Sequence, residues 1–264
     1  MDLGLVGRVA WVTGGGGGIG SAIAAALAAE GAEVAVTGRT LSTLEQRATA
    51  IAAASGRRVI GIPADVTDKG SVDRAAAAIV EQLGGIDILV NTAATPAGGG
   101  AAASLETTSD QQMLKDLDEK VVGNLRTSQA AVPYMKQRGW GRLIHVGGLL
   151  ARQASAYGPR NLAIVHLSKR LSDELGSHGI TSNVVHPGAT RGARLTGSLM
   201  ARSAARGISE AELEAEIASS YAIRRLLDPE EIAHVVVFLA SPLSGAITGE
   251  SIGTGGGSIG TVTI

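Results

Sequence analysis

Thr13-Gly14-Gly15-Gly16-Gly17-Gly18-Ile19-Gly20 carries the first chemical signal in this chain. An apolar run, Val9-Ala10-Trp11-Val12, precedes it and reads as a buried strand; an Ala-rich helical run from Ser21 to Glu30 follows. Glycines let a backbone turn tightly and come close to a phosphate. The helix that follows offers unpaired N–H groups and the positive end of its dipole. Gly14, Gly16, Gly17, Gly18, Ile19 and Gly20 are therefore the candidate cradle for a dinucleotide's pyrophosphate. Glycine runs also serve as linkers. The placement between strand and helix, with the next strand where a βαβ unit needs it, favours the cradle.

In such a site a carboxylate at the end of the second strand holds ribose hydroxyls, and a basic residue there accepts a 2′-phosphate instead. Here that strand ends Thr37-Gly38-Arg39-Thr40, with no acid. Arg39 can fork two N–H donors onto a phosphate, so the expected cofactor is NADP(H) in preference to NAD(H). The plainer reading of Arg39 is a solvated surface arginine.

These groups need a scaffold. Strand candidates are Val9–Thr13, Glu33–Gly38, Arg58–Pro63, Ile86–Thr92, Gly141–Val146, Thr181–His186 and Glu250–Gly253. Helical runs alternate with them: Ser21–Glu30, Leu41–Ala54, Lys69–Gln82, Ser109–Arg138, Ala156–His178 and Pro229–Ala240. The strands are apolar throughout, which fits a parallel sheet buried on both faces. The expected fold is a single α/β domain over residues 1–264, a doubly wound parallel sheet of the Rossmann type. Arg191 to Tyr221 breaks the rhythm and holds an amphipathic run, Ser209–Ser220; it reads as a substrate lid, or as a surface helix at an oligomer interface. Gly98–Ser104 is a low-complexity loop after the fourth strand.

Composition excludes several classes. The net charge of −1 offers no basic field to nucleic acid or to an anionic membrane. No cysteine is present, which removes disulfides, thiolate nucleophiles and Cys-based zinc sites. No His/Asp/Glu spacing makes a metal site. No apolar run reaches the length of a bilayer span, and no N-terminal apolar segment resembles a signal, so the expectation is a cytoplasmic protein.

Taken together, the motifs resemble the short-chain dehydrogenase/reductase family over nearly the whole chain. They are Thr13-Gly14-x-x-x-Gly18-Ile19-Gly20, Asp65-Val66 after the third strand, Asn91-Thr92-Ala93-Ala94 after the fourth, Asn124 in the run 109–138, Tyr157 opening the run 156–178, and Pro187-Gly188 after the sixth strand. The resemblance implies an NAD(P)-dependent enzyme acting on a small carbonyl or alcohol, and a homo-oligomer, tetramer or dimer. It implies that Asp65 and the Val66 backbone hold the adenine, that Asn91 and Ala93 line the adenosine ribose, and that Pro187, Gly188 and Thr190 flank the nicotinamide amide. Tyr157 would be the proton donor, with Asn124 holding a relay water. Asp65 also suits a turn or a helix cap, and Asn91 a structural role at a strand end.

The chain departs from the family at two catalytic positions. The usual serine falls at Gly148, and the lysine four residues after the tyrosine falls at Asn161. Asn161 shares a helix face with Tyr157 and can bind a ribose hydroxyl, but it carries no charge to stabilise a phenolate. Ser155 is the nearest hydroxyl, as catalyst or as helix cap. Arg160 or Arg152 could supply the lost charge, or face solvent. Lys169 lies more than three turns past Tyr157. His145 and His186 have a useful pKa but sit on strands, where packed histidines are common. Two readings stay open: an NADPH-dependent carbonyl reductase with an altered centre, or the same fold used for a lyase, cyclase or isomerase reaction or as a cofactor-binding regulatory protein.

Overall fold

The computed structural model describes residues 1–94, 109–149 and 158–260. Seven parallel strands form one sheet in the order β3-β2-β1-β4-β5-β6-β7. These are β1 Val9–Thr13, β2 Glu33–Gly38, β3 Val59–Pro63, β4 Ile88–Asn91, β5 Gly141–Val146, β6 Ile180–Pro187 and β7 Ser251–Thr254. Helices cover both faces. On one side α1 (Gly18–Ala29), α2 (Leu41–Ser55) and α9 (Pro229–Ala240) bury Ile23, Leu27, Leu44, Val236 and Leu239 against Val12, Val34 and Ile144. On the other, α3 (Lys69–Leu83), α5 (Gly123–Arg138) and α6 (Gly158–Leu175) enclose Trp11, Leu89 and Leu143. Both faces being covered explains why β1, β4, β5 and β6 carry no polar alternation. This is the expected doubly wound sheet, and the strand ends lie within two residues of the expected ones.

Three expectations about helices change. α1 begins at Gly18, three residues before the expected Ser21, so Gly18, Ile19 and Gly20 form its first turn. Glycine is a poor helix former, which is why composition points to a later start; the close packing described below outweighs that preference. The run 109–138 is not one regular helix. α4 (Asp110–Leu117) is capped by the Ser109 hydroxyl, and a π-helical turn at Asp118–Val122 separates it from α5. The region after β6 holds two helices, α7 (Ala193–Arg206) and α8 (Glu210–Ser219), where only the second was expected. A Ser209–Glu212 capping box starts α8. Gly98–Ser104 lies outside the described residues.

One buried carboxylate ties the amino edge of the sheet together. Asp87 is fully buried; it accepts the Val9 N–H at 2.8 Å and pairs with Arg138 at 2.7 Å and Arg8 at 3.6 Å. Removing it leaves the Val9 N–H without a partner. Asp87→Ala is expected to lower the unfolding free energy by about 1–3 kcal/mol, as measured by urea titration.

Candidate functional site

The sheet order reverses between β1 and β4, and in open α/β sheets the ligand crevice forms at the carboxyl ends of such a pair. The Thr13 hydroxyl fixes these two ends. Its oxygen accepts from the Thr92 N–H at 3.1 Å and the Ala93 N–H at 3.2 Å, and the Thr92 hydroxyl donates back to the Thr13 carbonyl.

The glycine turn then packs against this junction. Gly14 has φ +65°, and a Cβ there would sit 3.0 Å from the Ala93 backbone. A Cβ at Gly15 would lie 2.6 Å from Val36, and one at Gly20 would lie 2.4 Å from the Gly14 carbonyl oxygen. These three positions are closed to side chains. A Cβ at Gly18 meets nothing within 4 Å, so the outer surface of the turn is open. Gly17 is the N-cap of α1, with no side-chain cap and no acid in the first turn. The opening N–H groups of α1 are those that a helix leaves unpaired. This is the shape an anionic diphosphate fits.

Around the crevice, Arg39 is exposed at the end of β2, and its charge helps hold the Asp65 carboxyl below its ordinary range. The larger causes are hydrogen bonds to Asp65 from the Thr67 backbone N–H at 2.9 Å and the Thr67 hydroxyl at 2.7 Å. Asp65 is thus a turn residue; the cap of α3 is Asp68. The Val66 carbonyl accepts from Arg126. Asn91 is buried, and its side chain is engaged inside the protein: its Oδ1 accepts from Thr127 at 2.8 Å and its Nδ2 donates to His145 Nδ1 at 3.3 Å. At the far end Pro187 and Gly188 close β6, with Gly188 so near β7 that a Cβ would lie 2.9 Å from Gly255 Cα. The Thr190 hydroxyl turns back to the Gly188 carbonyl at 3.0 Å.

The expected catalytic residues divide. Tyr157, Ser155 and Arg152 lie outside the described residues. Asn161 is buried on α6 and faces Gly148: a Cβ at Gly148 would be 3.2 Å from the Asn161 amide nitrogen. Asn124 is buried just after the π-helical turn, and its amide nitrogen has no hydrogen-bond partner among the described residues. Arg160 is buried on α6 and pairs with Asp116 on α4 at 3.5 Å, so its charge is already met by a carboxylate. Lys169 pairs with Asp173 on the surface. Lys120, which sequence reasoning passed over, is buried on the π-helical turn, and its Nζ donates to the Val146 carbonyl at 2.5 Å. Its sequence position, four residues before Asn124 at the end of the charged run Lys115-Asp116-Leu117-Asp118-Glu119-Lys120, gives no sign of burial.

The chain matches the family model described as enoyl-(acyl carrier protein) reductase over residues 15–258. It is 38% identical to the short-chain reductase protein NovJ of Streptomyces niveus over 252 residues, 94% of this chain and 93% of that one. It belongs to the short-chain dehydrogenase/reductase family. Among solved structures, L-sorbose reductase from Gluconobacter frateurii, complexed with NADPH and L-sorbose, superposes with a TM-score of 0.92 at 29% identity, covering 99% of this chain and 100% of that one. An NAD⁺-bound xylitol dehydrogenase superposes at 0.87 with 26% identity, covering 96% and 99%. As a short-chain dehydrogenase/reductase, the chain belongs to a family of NAD(P)-dependent oxidoreductases. No helix among the described residues is long and apolar enough to cross a membrane, and no His/Asp/Glu group there is arranged to hold a metal.

In this short-chain dehydrogenase/reductase, His145 and His186 are parts of the frame. His145 is fully buried between Asn91 and the Ser182 hydroxyl, 3.4 Å from its Nε2, and Ser182 continues to Ser168 on α6 at 2.9 Å. Burial, with Lys120 nearby, pushes the His145 pKa down to about 3. The ring is neutral across the working range and cannot act there as a proton donor in its charged form. His186 bridges the Gly148 backbone, at 3.1 Å to its nitrogen, and the Ser251 hydroxyl at 2.9 Å.

The depressed His145 value sets a pH dependence. The unfolded chain takes up the proton near pH 6.5 and the folded chain only near 3, so stability is full above 6.5 and falls below it. The slope is at most about 1.4 kcal/mol per pH unit. Urea unfolding between pH 7 and 5 is expected to show this loss in the wild type and a flatter profile in His145→Gln.

Proposed function

We propose that this chain is an NADP(H)-dependent oxidoreductase acting between a carbonyl and an alcohol, with Tyr157 as proton donor and acceptor. The observation that carries the reading is the glycine turn, closed to side chains at Gly14, Gly15 and Gly20 yet open outward at Gly18. Gly14 to Gly20 would hold the pyrophosphate, with Ile19 in the first turn of α1. Asp65 and the Val66 loop would hold the adenine. The Asn91 and Ala93 backbones would border its ribose, and Pro187, Gly188 and Thr190 would flank the nicotinamide amide. When bound, the nicotinamide supplies or accepts hydride. The protein's own residues manage the proton: a reduced carbonyl becomes an alkoxide, and the Tyr157 hydroxyl would protonate it. Asn124, whose buried amide nitrogen has no partner among the described residues, suits a bound water that would refill the phenol. Asn161 would bind a ribose hydroxyl, and Ser155 would lie beside the phenol.

Arg39 supports NADP(H) over NAD(H), as does NADPH in the sorbose reductase; the NAD⁺-bound relative supports the other choice. Residues 191–221 would form a lid over the substrate within a single Rossmann-type domain. Arg191 ties its start to Glu214 on α8 at 2.6 Å and to Asp228 at 3.5 Å. A sugar-like or other mid-sized hydroxycarbonyl fits the neighbours' substrates. A homotetramer or dimer in the cytoplasm is the assembly and setting expected of the family.

One observation favours a second reading. Gly148 and Asn161, which face each other and which the resemblance assigns to the family's serine and lysine positions, would bring neither hydroxyl nor charge to the site. A lyase, cyclase, isomerase or regulatory protein on the same fold would need neither. Binding of NADPH without its oxidation across a wide panel of ketones and quinones would select that reading.

Arg39→Ala is expected to weaken NADPH binding about tenfold or more, the loss of one or two charged hydrogen bonds, and to leave NADH binding nearly unchanged. Isothermal titration checks both; tighter NADH than NADPH binding by the wild type would refute the preference. Tyr157→Phe is expected to lower kcat by about 10²–10⁴ while NADPH still binds, as followed by the loss of reduced-nicotinamide absorbance.

A further inference from the structure

Tyr221 closes the segment 191–221, and its phenol meets the loop that follows β6. The phenol oxygen accepts the Ala189 N–H at 3.2 Å, and Ala189 lies two residues past the end of that strand. The Ala189 carbonyl accepts the Leu227 N–H at 3.0 Å, and the Leu227 carbonyl accepts the Arg191 N–H at 2.8 Å. The segment therefore begins and ends on one loop, at Arg191 through Leu227 and at Tyr221 through its phenol. The Tyr221 backbone is itself fixed. It forms a bridge with Ser258, the Ala222 N–H donates to the Gly257 carbonyl at 2.7 Å, and the Ile223 N–H donates to the Gly256 carbonyl at 3.2 Å. Gly188 packs on Gly255, at the head of that stretch. Loop, phenol and residues 255–258 thus form one unit at the carboxyl ends of β6 and β7. Thr190, the nearest hydroxyl in sequence, is turned to the Gly188 carbonyl and does not hold this N–H. The Tyr221 ring is half-buried, so water can serve the Ala189 N–H without it. What the phenol adds is a fixed place for the loop.

We propose that Tyr221 is a positioning residue for the coenzyme: through Ala189 it holds the loop 187–190 for the nicotinamide end, and so joins the end of the segment 191–221 to that part of the ligand. The proposal rests on the coenzyme reading above and adds to it a residue and a link. The rest of the coenzyme would meet the glycine turn after β1, Arg39 after β2 and Asp65 after β3, all on the other half of the sheet. Tyr221 acts at the β6–β7 end alone. Losing its hydroxyl therefore weakens the hold on the nicotinamide half and spares the adenosine half. Linkage makes the effect reciprocal. If Tyr221 steadies the loop for the nicotinamide, the bound nicotinamide steadies Tyr221 and the two hydrogen bonds that follow it against local opening.

Isothermal titration compares NADPH with 2′-phospho-ADP-ribose, the same molecule without its nicotinamide. If NADH binds the wild type more tightly, NADH and ADP-ribose take their places. Tyr221→Phe removes only the hydroxyl. It is expected to weaken the coenzyme about three- to tenfold, the fold-change that one neutral hydrogen bond carries, and to leave the affinity of the fragment unchanged. Unchanged fragment binding also shows that the variant is folded. Equal affinity of variant and wild type for the coenzyme overturns the proposal. So does an equal loss for coenzyme and fragment, which is the result a merely structural hydroxyl gives. Hydrogen exchange in the wild type tests the link without any substitution, and it decides the matter should Tyr221→Phe not fold. The coenzyme is expected to slow exchange at the Ala222 and Ile223 amides beyond what the fragment does; equal protection by the two overturns the proposal. A wild type that takes up neither NADPH nor NADH sinks the coenzyme reading itself and the Tyr221 proposal with it, an outcome distinct from the others.

Discussion

The structure depends on how closely the chain approaches itself where β1 hands over to α1. The Thr13 hydroxyl holds the carboxyl end of β4 against β1, and the first turn of α1 then closes down until a Cβ at Gly20 would strike the Gly14 carbonyl. The approach is possible only because the side chains are absent. Hydrogen bonds, not propensity, start the helix at Gly18: Ser21 donates to the Gly17 carbonyl at 2.8 Å, and Gly17 donates to the Gly14 carbonyl at 3.0 Å. The result is a rigid turn with an uncapped helix end, where the two halves of the sheet diverge.

Behind this turn the sheet is stiffened by a buried polar chain: Thr127, Asn91, His145, Ser182 and Ser168 link α5, β4, β5, β6 and α6. Buried polar groups are tolerated when each finds a partner. The neutral His145 ring can accept at Nδ1 from Asn91 while its Nε2–H donates to Ser182, which a charged ring could not do. The strand histidines therefore hold the carboxyl edge in register, and the chemistry is left to residues above them.

The sequence made the scaffold legible because its signals are local and redundant. Seven apolar strands separated by helical runs, with glycines after the first, leave few alternatives to a doubly wound sheet. What was not legible was set by tertiary contact. α1 starts at Gly18 because of packing against Gly14, which propensity cannot report. The interruption at Asp118–Val122 leaves no mark in a run that reads as one helix from Ser109 to Arg138. The partners of the Asn91 side chain, Thr127 and His145, are 36 and 54 residues away in sequence and could not be read from its neighbours. The ion pair of Arg160 with Asp116 joins two different helices and leaves no local mark in the sequence. The burial of Lys120 was not legible either, because the carbonyl it meets lies 26 residues further along the chain, on β5.

A crevice that had lost its use would have no reason to keep costly groups. An unsatisfied buried amide costs about 1–3 kcal/mol, yet the Asn124 nitrogen is left without a partner among the described residues. A buried ammonium requires dedicated partners; Lys120 donates to the carbonyl of Val146, two residues before Gly148. Gly148 faces the Asn161 amide on one side, and its backbone N–H is held by His186 on the other. Polar groups buried at such expense lie beside an open glycine turn, at the carboxyl edge where the ligand crevice of such a sheet forms.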